Sequence, residues 1–179
     1  MENDFSELST VLFQQKLKPA ALKIYQGLFP GCEVKDLREK GVEVHILDKE
    51  FGIDSLIGFK SGQWISLQEK YRNYSSLKWG DFTQEYKNAE GTSYESFGEW
   101  FKLGAQLYFY GWANQENTDF LKWFILDIPA YKIIIEKLGG IEKAGIKKQN
   151  NRYGKASFYG ISLQTLYPAM MFKHNINLT

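Results

Sequence analysis

Sulfur and imidazole are scarce in this sequence of 179 residues, with one cysteine, Cys32, and two histidines, His45 and His174. A lone cysteine excludes a disulfide within the chain and a cysteine-rich zinc site. Two histidines so far apart in sequence argue against a histidine-held metal. Any metal would be held by oxygen ligands, which favours magnesium or manganese. Charge of one sign is missing too. The formal net charge is +1, so nucleic-acid binding would depend on a local patch rather than on overall basicity. No apolar run reaches the roughly 20 residues of a membrane-spanning helix. The opening "MENDFSELST" is acidic and polar, unlike a signal peptide. The expectation is a cytoplasmic protein with no membrane partner.

What is present suits one folded α/β domain over residues 1–179. Hydrophobic residues make up 44% and charged residues 24%, a balance that supports a single core. Residues 4–28 carry apolar positions at roughly helical spacing, and Pro19 predicts a break or kink there. "VEVHIL" (42–47) alternates like a strand. A hairpin, "FGIDSLIGFKSGQWISLQEKYR" (51–72), follows. "DFTQEYKNAEG" leans to a strand and "SFGEWFKLGAQ" to a short helix. "LYFYGWA" (107–113) and "FLKWFILDI" (120–128) read as strands. "PAYKIIIEKLGG" reads as a helix, punctuated by Pro129 and Gly139. Asp127 fits its N-terminal cap, or a further acid at a strand end. Residues 140–155 read as a basic loop. "ASFYGISL" reads as the last strand, with a helical turn after it. This order implies a mixed sheet flanked by helices.

The hairpin carries the chemistry, and its turn decides the register. A two-residue turn at Ser61-Gly62 sets Asp54 opposite Glu69. A three-residue turn, Lys60-Ser61-Gly62, sets it opposite Gln68. Glycine in the last position favours the second. Asp54, Ser66, Gln68 and Lys70 then share one face, and Ile53, Ile57, Phe59, Ile65, Leu67 and Tyr71 share the more apolar one. A carboxylate, an amide oxygen and an ammonium at a strand end suit phosphodiester hydrolysis. Asp54 and Gln68 would bind a divalent metal, and Lys70 would orient water or offset charge on the phosphate. One carboxylate binds magnesium weakly. Glu7 on the first helix and Glu85 on the possible fourth strand are the candidates to complete the site. Arg72 shares Lys70's face and could meet a neighbouring phosphate. Lys147, Lys148, Arg152 and Lys155 form the densest basic cluster, and the first three are candidate nucleic-acid contacts.

"GID", thirteen residues and then "QEK", on a hairpin after an N-terminal helix, resembles the PD-(D/E)XK nuclease superfamily. The resemblance runs from Glu7 to Lys70, and more weakly to "GEWFKLGAQLYFYGW". It implies a restriction-endonuclease-like fold, with an N-terminal helix before a three-strand meander. It also implies Mg²⁺- or Mn²⁺-dependent cleavage of DNA, with the homodimers common among such enzymes. By that resemblance Asp54 matches the metal-binding Asp, Gln68 the acidic position and Lys70 the Lys. Glu7 matches a Glu that some members carry on the first helix. Ile53 stands at the nominal Pro and Gln68 at an acid. The alternatives are a catalytically inactive domain of that fold, binding nucleic acid or a protein partner, and a small α/β protein whose aromatic surface serves oligomerisation.

Overall fold

Leu17, Ala21 and Tyr25, four residues apart, form one fully buried stripe on the first helix, α1 (Asn3–Leu28). That spacing places all three on one face. The computed structural model describes residues 3–37, 45–149 and 155–177, with the side chains of residues 3–11 and 45 outside that description. The expected break at Pro19 does not occur, because α1 runs through it. Pro19 and Gln15, whose carbonyl loses its helical donor, are both exposed. Water can satisfy that carbonyl.

A short strand, β1 (Glu33–Asp36), and a helix, α2 (His45–Phe51), precede the hairpin strands β2 (Ser55–Gly58) and β3 (Trp64–Arg72). The strand expected over 42–47 is thereby corrected. Residues 42–44 lie outside the described residues, and His45 opens a helix. The place beside β2 belongs to β1, where Val34 pairs with Ile57.

The hairpin register is the one that the three-residue turn requires. Ser55 pairs with Leu67 and Gly58 with Trp64. Gly62 adopts φ +84° and its N–H donates to the Phe59 carbonyl at 2.8 Å. Only glycine takes that conformation without strain.

A 3-10 turn (Tyr74–Trp79) leads to β4 (Asp81–Asn88), β5 (Ser96–Phe97) and a single-turn helix, α3 (Glu99–Lys102). Then come β6 (Leu107–Ala113), β7 (Phe120–Asp127) and α4 (Ile128–Lys137). Asp127 caps α4 by accepting from the Ala130 N–H at 2.7 Å. The loop expected over 140–155 is corrected as far as Gln149 by α5 (Ile141–Ala144) and β8 (Ile146–Gln149), and residues 150–154 lie outside the described residues. β8 pairs along β9 (Ser157–Ser162) through its backbone, which a polar sequence does not prevent. Nor is β9 the last strand, because β10 (Met170–His174) follows a short helix, α6 (Leu163–Leu166), and a 3-10 turn.

Among the described residues the strands form two sheets. The larger runs β1-β2-β3-β6-β7-β10 and is mixed, with β3 parallel to β6 and every other pair antiparallel. The smaller runs β5-β4-β9-β8. On one face of the large sheet, the α1 stripe packs on Ile57, Leu67, Tyr71, Phe109 and Ile125. On the other, Tyr108, Tyr110, Trp112, Phe124 and Leu126 pack on Phe82 and Ile161 of the small sheet and on Tyr131 and Ile135 of α4. Ile53 joins this second cluster rather than the α1 side expected for it, because it precedes β2 and escapes the strand alternation. The protein is therefore α/β, with a six-stranded mixed sheet flanked by helices and a β1-β2-β3 antiparallel order after the first helix. Among the described residues no helix is long and apolar enough to cross a membrane.

Candidate active site

Alternation along β3 sends successive side chains to opposite layers. Leu67, Glu69 and Tyr71 face α1, whereas Gln68 and Lys70 face the small sheet. The two layers carry two different polar clusters.

On the α1 side, Glu69 is 4% exposed. Lys18 Nζ donates to both of its carboxylate oxygens, at 3.0 and 2.8 Å, and Tyr25 Oη donates to Oε1 at 2.7 Å. The same ammonium reaches Ser55 Oγ at 2.8 Å and Asp36 Oδ2 at 2.9 Å. A buried carboxylate with so many donors is a paired structural charge.

On the other side lie the sequence candidates Gln68 and Lys70. Asp54 sits at the mouth of the hairpin, one residue before the Ser55–Leu67 pair, and its N–H donates to the Leu67 carbonyl at 2.9 Å. Asp54 Oδ2 accepts the Glu69 N–H at 2.6 Å, which ties the carboxylate to the β3 backbone. Asp54 is 5% and Gln68 8% exposed. Gln68 therefore lies on a covered face of β3, beneath α3. Among the described residues, Gln68 Oε1 is a buried acceptor with no hydrogen-bond donor. Such an atom forfeits its hydration, at about 1–3 kcal/mol. It faces Gly52, where a Cβ would stand 3.0 Å from it and 3.5 Å from the Lys102 carbonyl at the end of α3. Gly52 also adopts φ +56°, so a side chain is disfavoured there twice.

Lys70 lies two residues on. Its Nζ donates to Glu99 Oε2 at 3.0 Å. Burial works against the ammonium, but the negative charge of Glu99 and Glu85, with Tyr110, outweighs it and raises the pKa above its ordinary value. Lys70 is therefore a permanent cation at neutral pH.

Glu99 carries no role in the sequence reading, yet it is the hub of this cluster. Gln84 Nε2 donates to its Oε2 at 3.1 Å and Tyr108 Oη to its Oε1 at 2.7 Å. Tyr131 Oη donates in turn to Gln84 Oε1 at 3.5 Å. Burial, then the charge of Glu99, hold the Tyr108 hydroxyl well above its ordinary pKa, and the charge of Asp54 adds to this. Twenty-nine residues separate Lys70 from Glu99, and no motif spacing links them. The one usable signal was the short helix at "GEWFK", whose first residue is the acid.

The remaining candidates scatter. Arg72 ends β3 half-buried, on the same face as Lys70 by strand parity. Glu85 lies on β4 opposite Phe158, and its charge reaches Lys70. The Glu7 side chain and all of Arg152 lie outside the described residues. Lys147 and Lys148 stand on β8 rather than on a loop, and each meets an acid. Lys147 Nζ donates to Glu90 Oε1 at 2.6 Å, and Lys148 pairs with Asp81. Their charge is neutralised locally.

The oxygen atoms on this side that suit an oxygen-seeking cation are the Asp54 carboxylate, already accepting from the Glu69 N–H, and the unsatisfied Gln68 Oε1. Among the described residues no group of three or more His, Cys, Asp or Glu is placed to hold a metal ion. Comparison with family models, with curated proteins and with solved structures finds no match to this chain.

Proposed function

We propose that the chain is a metal-dependent phosphodiesterase of restriction-endonuclease-like fold that cleaves DNA in the cytoplasm, two copies acting together where both strands are cut. The observation that carries this reading is the hairpin register. The Ser55–Leu67 pair leaves Asp54 and Gln68 as the next residues of their two chain segments, Lys70 shares Gln68's face, and Gln68 Oε1 is buried without a donor among the described residues. An amide in that state has an unmet demand for a cation or a donor. The first helix followed by three antiparallel strands is the order that the resemblance implies, and it supports the reading.

Asp54 and Gln68 would hold Mg²⁺ or Mn²⁺. Such a cation supplies Lewis acidity to a phosphate and eases the ionisation of water. Asp54 is held in place by the Glu69 N–H. Lys70, kept charged by Glu99, offsets negative charge that builds on the phosphate and does not accept the proton of the attacking water. Arg72, one step further along the same face, meets the next phosphate.

Plasmid and single-stranded DNA incubated with Mg²⁺ or Mn²⁺ test the reading, with Asp54→Ala and Lys70→Ala alongside the native chain. Cleavage by the native chain and loss in both variants is the expected result. Cleavage that persists in both variants overturns it. The second reading is a catalytically inactive domain of the same fold that binds nucleic acid or a protein. It is favoured by one observation, the engagement of Lys70 with Glu99 in a covered site. Tight DNA binding without cleavage by any form selects it.

A further inference from the structure

The pair Asp54 and Gln68 brings one negative charge to a divalent cation, and a single carboxylate holds magnesium or manganese weakly. Four observations bring a second acid to the same place. Tyr108 is the neighbour of Gln68 in the parallel pairing of β3 with β6, and its hydroxyl donates to Glu99 Oε1 at 2.7 Å. The charge of Asp54 also reaches that hydroxyl, more weakly than the charge of Glu99. Lys70, two residues from Gln68 on the same face, donates to Glu99 Oε2 at 3.0 Å. The last carbonyl of α3, at Lys102, and Gln68 Oε1 close on one point above Gly52. The helix that carries Glu99 therefore caps the hairpin mouth at the unsatisfied amide oxygen.

We infer that Glu99 supplies the acid that the hairpin lacks at Gln68, and that one divalent cation is held jointly by Asp54, the Gln68 amide oxygen and Glu99. This rests on the reading of the hairpin as a metal site. It assigns the completing carboxylate to a helix inserted between β3 and β6, in place of Glu7 or Glu85. Glu85, on β4, acts on Lys70 through its charge alone, whereas Glu99 accepts from two neutral donors, Gln84 and Tyr108, besides Lys70. The Lys70 ammonium, the only charged group that hydrogen-bonds to Glu99 among the described residues, balances its charge until the cation arrives. Gln68 then has a reason to be neutral. A third carboxylate beside Asp54 and Glu99 would add repulsion that one lysine does not offset.

Binding of Mn²⁺ alone to the full chain tests this without DNA. Free Mn²⁺ is counted by electron paramagnetic resonance, and circular dichroism checks that each variant is folded. The native chain is expected to bind one Mn²⁺. Glu99→Gln and Asp54→Asn are each expected to weaken it at least tenfold, and Glu85→Gln to weaken it less than Glu99→Gln does. Gln68→Glu, which adds a carboxylate at the unsatisfied oxygen, is expected to tighten binding at least tenfold. Native affinity in Glu99→Gln, or a larger loss in Glu85→Gln, overturns the role of Glu99 and leaves the hairpin reading standing. Failure of the native chain to bind Mn²⁺ at millimolar concentration overturns both.

Discussion

Glu69 and Lys70 are neighbours in one strand, and each makes an ion pair, yet their surroundings differ in kind. Glu69 is enclosed on the α1 side by Lys18 and Tyr25, and its side chain has no exposed surface. Lys70 and Glu99 retain 23% and 14% side-chain exposure, beside an amide oxygen without a donor. In the first cluster the acid is fully enclosed, although Lys18 keeps 14% side-chain exposure. The second has a half-open ion pair beside an unmet acceptor. A buried ion pair is thus a poor guide to function by itself, and what separates the two faces of β3 is whether the polar groups satisfy one another.

The largest effect that follows falls on the first cluster. Lys18→Met takes from buried Glu69 the ammonium that donates to both of its oxygens, and is expected to cost about 3–5 kcal/mol of stability. Urea unfolding of the purified chain measures it. A loss below that of Lys70→Met would reverse the ranking of the two faces. Lys70→Met is expected to lower cleavage by about 100-fold or more. Its stability loss stays near 1–3 kcal/mol, because Glu99 keeps two donors and some water. Kinetics and melts on the same samples separate the two effects. Tyr25→Phe and Tyr108→Phe sharpen the comparison, since each removes one hydroxyl donor from a carboxylate. The first is expected to cost about 1–3 kcal/mol and the second less, as read in parallel thermal melts. The smallest effect sits at the turn that sets the register. Gly62→Ala forces a side chain to φ +84° and costs about 1 kcal/mol. A neutral or stabilising result in urea titration would contradict the turn.

The hairpin was legible because its register turns on one glycine, and turn chemistry is local. The same holds for α4, where Asp127, Pro129 and Gly139 mark both ends within the segment itself. The hidden elements are those whose stability comes from elsewhere. β1, with sequence EVKD, and β8, with sequence IKKQ, are edge strands with one apolar residue each, so no alternation announces them. They form because β2 and β9 offer unpaired backbone groups. His45–Phe51 shows the converse, since alternation over 42–47 resembled a strand but β2 already had β1 as its neighbour. Glu99 was hidden for a related reason. Its partners Lys70, Gln84 and Tyr108 come from three strands in two sheets, and a linear motif records only the residues of its own hairpin.

The parallel pairing of β3 with β6 also bears on the order in which the molecule is built. Between these neighbours the chain leaves the large sheet, lays down β4 and β5 in the small one, and returns through α3. The β2–β3 hairpin closes over a few residues and can form early. Glu99 meets Lys70 across twenty-nine residues of chain, a contact far less local than the hairpin's own. A nascent or partly unfolded chain would therefore carry the letters of the site without its geometry, and any chemistry at Lys70 would be withheld until folding is finished.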